Sequence, residues 1–293
     1  MPEEEIKKIG LNEKEYPSLL RKTSDPPKII YVKGTIPRAK FLAIVGTRHF
    51  SPYGKQVTLE IGHDLTLSGL GIISGLAKGI DTFSHQACLE AGGKTIAVLG
   101  TGLDKESIYP RENLRLSQEI VERGGCLISE LPPGSPGFKG NFPRRNRIIA
   151  GLSLGVLVVE AKQKSGALIT AAWARKENRK IFAIPGPIYS ANAWGPNHLI
   201  RKGAKLVQSA NDILSELKFS RQPCLFSKEK KNKIGDSPEE NLILENLKEQ
   251  PLHIEEIIKR TSLSAPKVCS ILAIMELKNL IRNLGEKTFS LKN

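Results

Sequence analysis

Gly155-Val156-Leu157-Val158-Val159-Glu160-Ala161 is the stretch whose reading decides the fold. Successive side chains of a strand alternate sides, so four consecutive apolar residues make both faces of this one apolar. A strand buried on both faces belongs to a parallel sheet covered by helices, not to a sheet with one wet side. Working outward, similar short apolar runs occur at Phe41–Val45, Gly71–Ser74, Thr95–Leu99, Cys126–Ser129, Ile181–Ile184 and Lys205–Val207. Helix-length segments separate them, near 54–69, 78–92, 111–124, 145–153, 167–178 and 194–203. This alternation predicts a doubly wound α/β domain over residues 41–217.

Residues 1–40 read as an extension packing on that core, and the lysine-rich, aperiodic stretch 218–236 as a linker. A new unit, 237–293, then begins. Ser237-Pro238-Glu239-Glu240 combines a capping box with proline at the first helical position, and Leu242, Ile243 and Leu247 follow at helical spacing. Further helices fit Ile254–Lys259 and Ala265–Leu280, with a short hairpin at Arg282–Leu291 around Gly285. Three helices and a hairpin in so short a segment is the pattern of a winged helix.

The 293 residues carry 44 Lys+Arg against 30 Asp+Glu, a net charge of +14 that sits mainly in 41–215. A field of that sign recruits nucleic acid or another polyanion. Met1–Gly10 holds three consecutive glutamates and no apolar core of a signal peptide, and no stretch is apolar for long enough to span a membrane, so a cytoplasmic location is expected. Cys88, Cys126, Cys224 and Cys269 lie far apart, with neither Cys-x-x-Cys nor histidine at ligand spacing, so no zinc site or disulfide framework is expected.

Ligands of open parallel sheets bind beyond the carboxyl ends of the strands. The turns there are Val45-Gly46-Thr47-Arg48, Ser74–Asp81, Gly100–Asp104 with Tyr109-Pro110-Arg111, and Lys164–Thr170. Each offers glycine for close backbone approach or a cation for an anionic group. To these the chain adds a basic loop with two aromatics, Phe138-Lys139-Gly140-Asn141-Phe142-Pro143-Arg144-Arg145-Asn146-Arg147. Cations neutralise phosphates and rings stack on unpaired bases. Gly100-x-Gly102 lacks the third glycine of the dinucleotide fingerprint and no G-x-x-x-x-G-K-[ST] occurs, so a nicotinamide cofactor or ATP is disfavoured and no cofactor is expected.

Taken in order, Val45–Arg48, Ser74–Asp81, Tyr109-Pro110 with Asn113, Ser129–Gly134, Phe142-Pro143 with Arg145–Ser153, and Ser165–Thr170 through Pro185-Gly186 resemble the DNA-processing protein A (DprA/Smf) family. The resemblance spans roughly 10–215, together with the winged-helix-like tail. It implies an extended Rossmann-like fold and a homodimer that binds single-stranded DNA, protects it, and helps load the RecA recombinase in natural transformation. By position, Arg48, Arg111, Lys139 and Phe142 match strand-contacting residues, and Ser165-Gly166 with Thr170 matches a phosphate-holding turn. Arg144, Arg145, Asn146 and Arg147 join the candidate DNA-binding set. For Arg145 and Arg147 internal ion pairing is the competing reading, because two helical positions apart point to different sides; one of them is expected to hold a carboxylate such as Glu130 or Glu160. The chain departs from the family at Ala167, where members commonly carry a hydroxyl, and in the short segment before Phe41, where some members carry a helical domain.

Two rival readings remain at this point. A nucleoside-monophosphate phosphoribohydrolase has a similar layout but needs a P-G-G-x-G-T turn with a nearby carboxylate, and Lys164-Ser165-Gly166-Ala167 is not one. Asp81, near a helix start, reads as a cap, and no nucleophile–base pair is legible, so a non-enzymatic role is expected. A winged-helix transcription regulator needs a recognition helix rich in Arg, Asn or Gln, whereas Ala265–Leu280 offers only Lys267 and Lys278 among apolar residues. A packing or partner-binding module is the expectation there.

Overall fold

The computed structural model describes residues 5–219, 237–247, 251–278, 280–285 and 287–291; most of the expected linker lies outside them. The chain divides into two units, Met1–Phe226 and Ser227–Asn293. In the first, strands β1 (Ile6–Gly10), β2 (Ile29–Gly34), β3 (Phe41–Val45), β4 (Gly71–Ser74), β5 (Thr95–Leu99), β6 (Cys126–Ser129), β7 (Gly155–Val158), β8 (Lys180–Ala183) and β9 (Lys205–Leu206) form one sheet. Its order is β1-β2-β6-β5-β4-β3-β7-β8-β9, parallel from β6 to β9 and antiparallel at β1 and β2. The helices are α1 (Ser18–Arg21), α2 (Pro52–Leu67), α3 (Ile80–Glu90), α4 (Leu114–Glu122), α5 (Asn141–Gly151), α6 (Gly166–Lys176), α7 (Trp194–Arg201) and α8 (Ala210–Glu216).

The doubly apolar strands divide their side chains between two layers. Phe41, Ala43, Val45, Val156 and Val158 join Leu20, Ile148, Ile149 and Ala171, the layer of α1, α5 and α6. Leu42, Ile44 and Leu157 join Ile61, Leu65, Ile80 and Ile213, the layer of α2, α3 and α8. The chain runs outward from β3 through β4 and β5 to β6, then returns to place β7 on the other side of β3. That reversal opens a crevice at the carboxyl ends of β3 and β7.

Within the expected extension, residues 5–40 supply β1 and β2, which extend the sheet through Tyr31 opposite Ser129. Ile6-Lys7-Lys8-Ile9 is half charged because it is the edge strand, where lysines blunt further pairing, and that hides it from a search for apolar runs. The expected basic loop is also shorter than read: α5 begins at Asn141, and Pro143 sits in its first turn, where proline has no helical hydrogen bond to break.

The second unit packs α9 (Pro238–Asn246), α10 (Ile254–Thr261) and α11 (Ala265–Leu277) with β10 (Leu252–His253), β11 (Ile281–Gly285) and β12 (Thr288–Leu291) around Ile243, Ile257, Val268, Leu272 and Met275. Ser237 caps α9 by accepting the Glu240 N–H at 3.1 Å. Lys267 and Lys278, the two cations of the expected recognition helix, hold Glu239 and Glu240 of α9 at 2.8 and 2.7 Å. No helix among the described residues is long and apolar enough to cross a membrane.

Candidate functional site

A cleft of about 740 Å³ opens where the sheet order reverses, lined by the turn after β3, the start of α5 and the turn after β7. The first wall is held by backbone. Thr47 donates its N–H to the Glu160 carbonyl at 2.7 Å and accepts from the Ile80 N–H at 3.3 Å. Gly79 lies beneath it at φ +81°, where an added Cβ would stand 2.5 Å from the Thr47 carbonyl, so the turn requires glycine. Pinned this way, the turn presents Arg48 outward, its guanidinium carbon 5.9 Å from the centre of the Phe142 ring.

Phe142 comes from the first turn of α5 and is half-buried, with Tyr109 tilted against it at 5.7 Å between ring centres. Helix geometry then divides the basic stretch. Lys139 and Arg144 are exposed, whereas Arg145 and Arg147 are buried. Arg145 donates to the carbonyls of Gly75, at 2.6 Å, and of Val98, and to Asn146 at 3.2 Å. Arg147 holds Glu130 at 2.7 Å and Asp25 at 2.9 Å, and Arg144 reaches Glu130 at 3.3 Å. The alternative of internal pairing therefore describes Arg147, and its carboxylate is Glu130 rather than Glu160.

Asn146 donates to the Gly166 carbonyl at 3.1 Å, joining α5 to the third wall. There Ser165 caps α6 by accepting the Ala167 N–H at 3.3 Å. Arg48, Lys139, Phe142, Arg145, Asn146, Ser165, Gly166 and Thr170 all line the cleft. Arg111, Arg144 and Arg147 do not; Arg111 is exposed and donates to the Lys105 carbonyl at 2.5 Å. Lys162 and His49 also line the cleft, though the sequence reading passed over them. Lys162 was legible as a second cation beside Lys164 in the turn after β7.

The two buried carboxylates of the crevice serve its backbone. Asp81 accepts the N–H groups of Gly75, at 3.0 Å, and Ala77, at 3.4 Å, which makes it the organiser of the turn after β4. Burial pushes its carboxyl above the usual range, against the opposing pull of the Arg145 charge and of those N–H groups. Burial in turn pushes Arg145 down to about 10, with Asp81 working the other way. Glu160 accepts the Ser51 N–H at 2.9 Å and the Ser51 hydroxyl at 2.6 Å, so it fixes the start of α2. Among the described residues no group of three His, Cys, Asp or Glu is placed to hold a metal.

A family profile described as "DNA recombination-mediator protein A" matches residues 7–218, and one described as "DprA winged helix domain" matches residues 227–287. The DNA processing protein DprA of Bacillus subtilis (strain 168) is 44% identical over 218 residues, covering 73% of this chain and 72% of its own. The solved structure of DNA processing protein A from Streptococcus pneumoniae superposes with a TM-score of 0.68 at 42% identity, over 72% of this chain and 74% of that one. That of DNA processing protein A from Helicobacter pylori, described as giving insight into a unique single-stranded DNA binding mode, superposes with a TM-score of 0.65 at 29% identity, over 74% and 98%.

Proposed function

Given that the chain belongs to the DNA recombination-mediator protein A family, the DprA/Smf proteins, we propose that it binds single-stranded DNA in the cleft at the carboxyl edge of its sheet, without strong sequence preference. The observation that carries this reading is the placement of Arg48 over the Phe142 ring in the cleft lining. A phosphate chain with unpaired bases needs a cation beside a ring face, repeated along a groove. A duplex keeps its bases stacked on one another, so a half-exposed ring has nothing to receive. Lys139, Lys162 and Lys164 supply further cations along the lining, and the Ser165-Gly166 turn with Asn146 and Thr170 shapes its floor. Arg111 and Arg144 stand outside the lining, at the flanks of the bound strand in this reading; Arg145 and Arg147 hold the wall in place.

The proposal is one of binding rather than catalysis. Asp81 and Glu160, the buried acids nearest the cleft, already accept hydrogen bonds from the turns they support, which leaves neither poised as a general base. The reading includes protection of the bound strand and delivery of RecA to it during transformation and recombination, by a cytoplasmic homodimer; family membership is what supports that part.

The test is a salt-titrated binding comparison of single-stranded and duplex oligonucleotides. Single strands are expected to bind more tightly, with affinity falling steeply as salt rises. Phe142→Ala is expected to weaken binding by about 1–3 kcal/mol, as loss of one base stack does. Arg48→Ala is expected to reduce the salt slope by roughly one phosphate contact. Equal affinity for the two forms, or no loss in either variant, would sink the proposal.

A further inference from the structure

The turn after β8, Ile184–Ala193, lies next along the carboxyl edge beyond the cleft, since β8 pairs with β7. It is tied to two cleft walls: Asn192 donates its side-chain N–H to the His49 carbonyl at 2.8 Å, and its own carbonyl accepts the Ala161 N–H at 2.7 Å. Two successive tight turns, Ser190 N–H to the Pro187 carbonyl and Ala193 N–H to the Ser190 carbonyl, both at 3.0 Å, hold the tip. That tip carries Tyr189 at 96% exposure and Ile188 at 82%. Beside it Tyr53 of α2, 46% exposed, donates its hydroxyl to the Pro185 carbonyl at 3.0 Å, which fixes the ring while leaving much of it open. A ring held almost wholly in water on a hydrogen-bonded turn contributes nothing to a core.

The charge pattern states what such rings would meet. The turn Ile184–Ala193 itself carries no charged residue. Lys162 and Lys164 stand in the adjoining wall of the cleft. Exposed rings on an uncharged turn tied to that lysine-bearing wall match a polyanion with accessible aromatic faces.

We propose that the strand-binding track continues past the cleft onto a second stacking platform formed by Tyr53 and Tyr189, which receives bases of the same single strand. The inference rests on the single-strand reading of the cleft. It makes the site longer than the cleft, with Phe142 gripping one part of the strand and Tyr189 another.

Fluorescence anisotropy of the full chain with oligothymidylates of about 6 and about 20 nucleotides tests it. For Tyr189→Ala, whose side chain lies in solvent and bears on no packing, affinity for the long oligonucleotide is expected to fall about five- to tenfold, and to fall further when Tyr53→Ala is added. Affinity for the short one is expected to change by less than about twofold, because it fits within the cleft. Tyr189→Phe is expected to keep long-strand affinity, as stacking needs the ring and not the hydroxyl. Unchanged long-strand affinity in Tyr189→Ala, or an equal loss at both lengths, would overturn the platform. Loss of neither length in Phe142→Ala would instead overturn the cleft reading on which the platform rests.

Discussion

Two arginines separated by one position, Arg145 and Arg147, sit in the same basic stretch as Lys139 and have a different task. Lys139 is exposed at the cleft rim, while Arg145 satisfies the carbonyls of Gly75 and Val98 and faces the Asp81 charge. Removing one partner from a buried charged set leaves the other uncompensated, at about 3–5 kcal/mol. Arg145→Met is therefore expected to unfold at markedly lower denaturant than the parent, while Lys139→Ala unfolds as the parent does and weakens strand binding at low salt. Urea unfolding of both variants, run beside the binding assay, checks the division; an Arg145→Met protein of parental stability would refute it. Sequence composition alone made these cations equivalent. Burial separates them, because α5 carries Arg145 onto the carbonyls of Gly75 and Val98.

Helix α2 shows how one element transmits order to the cleft. Its N-cap Ser51 is held by Glu160 from the end of β7, and Gly54 in its first turn approaches the same carboxylate. A Cβ at Gly54 would stand 2.3 Å from Glu160 Oε2. Alanine is favoured over glycine in a helix by about 1 kcal/mol, but overpacking against a fixed group costs about 1–3 kcal/mol and here also displaces the cap's partner. Gly54→Ala is thus expected to lower stability, by about 2 kcal/mol, where propensity alone predicts a gain. A melting temperature at or above the parent's would contradict the close approach. The parallel strands were legible because each is a short apolar run bounded by turn residues. The edge strand β1 was not, since Lys7 and Lys8, both exposed at the sheet edge, break its apolar run, and neither was the true start of α5, because Pro143 reads as a breaker unless it is known to lie in the first turn.

At the scale of the whole first unit, the buried imidazole of His85 sets a limit on acid stability. Its Nδ1 lies 2.7 Å from the Thr95 hydroxyl and its Nε2 is buried with no hydrogen-bond partner. Burial, with the Arg145 charge adding to it, lowers its pKa from 6.5 to about 3. The unfolded chain thus takes up a proton near pH 6.5 that the folded chain refuses until about pH 3, so stability falls as pH drops through that interval. The slope this group contributes approaches 1.4 kcal/mol per pH unit. Melting temperatures between pH 7 and 4 are expected to decline less steeply in His85→Gln, and parallel curves would exclude this origin. The sequence by itself determined the main architecture of this protein, a mainly parallel sheet with two helical layers and a winged-helix unit, because strand burial on both faces and helix capping are written in local residue patterns. It also determined that the carboxyl edge carries cations and rings. Only the tertiary structure decided which of those groups face the cleft, since Arg48, Phe142 and Lys164 meet there through a reversal of strand order that brings β3 beside β7, while the same folding draws Arg145 onto the carbonyls of Gly75 and Val98 and Arg147 onto Glu130 and Asp25.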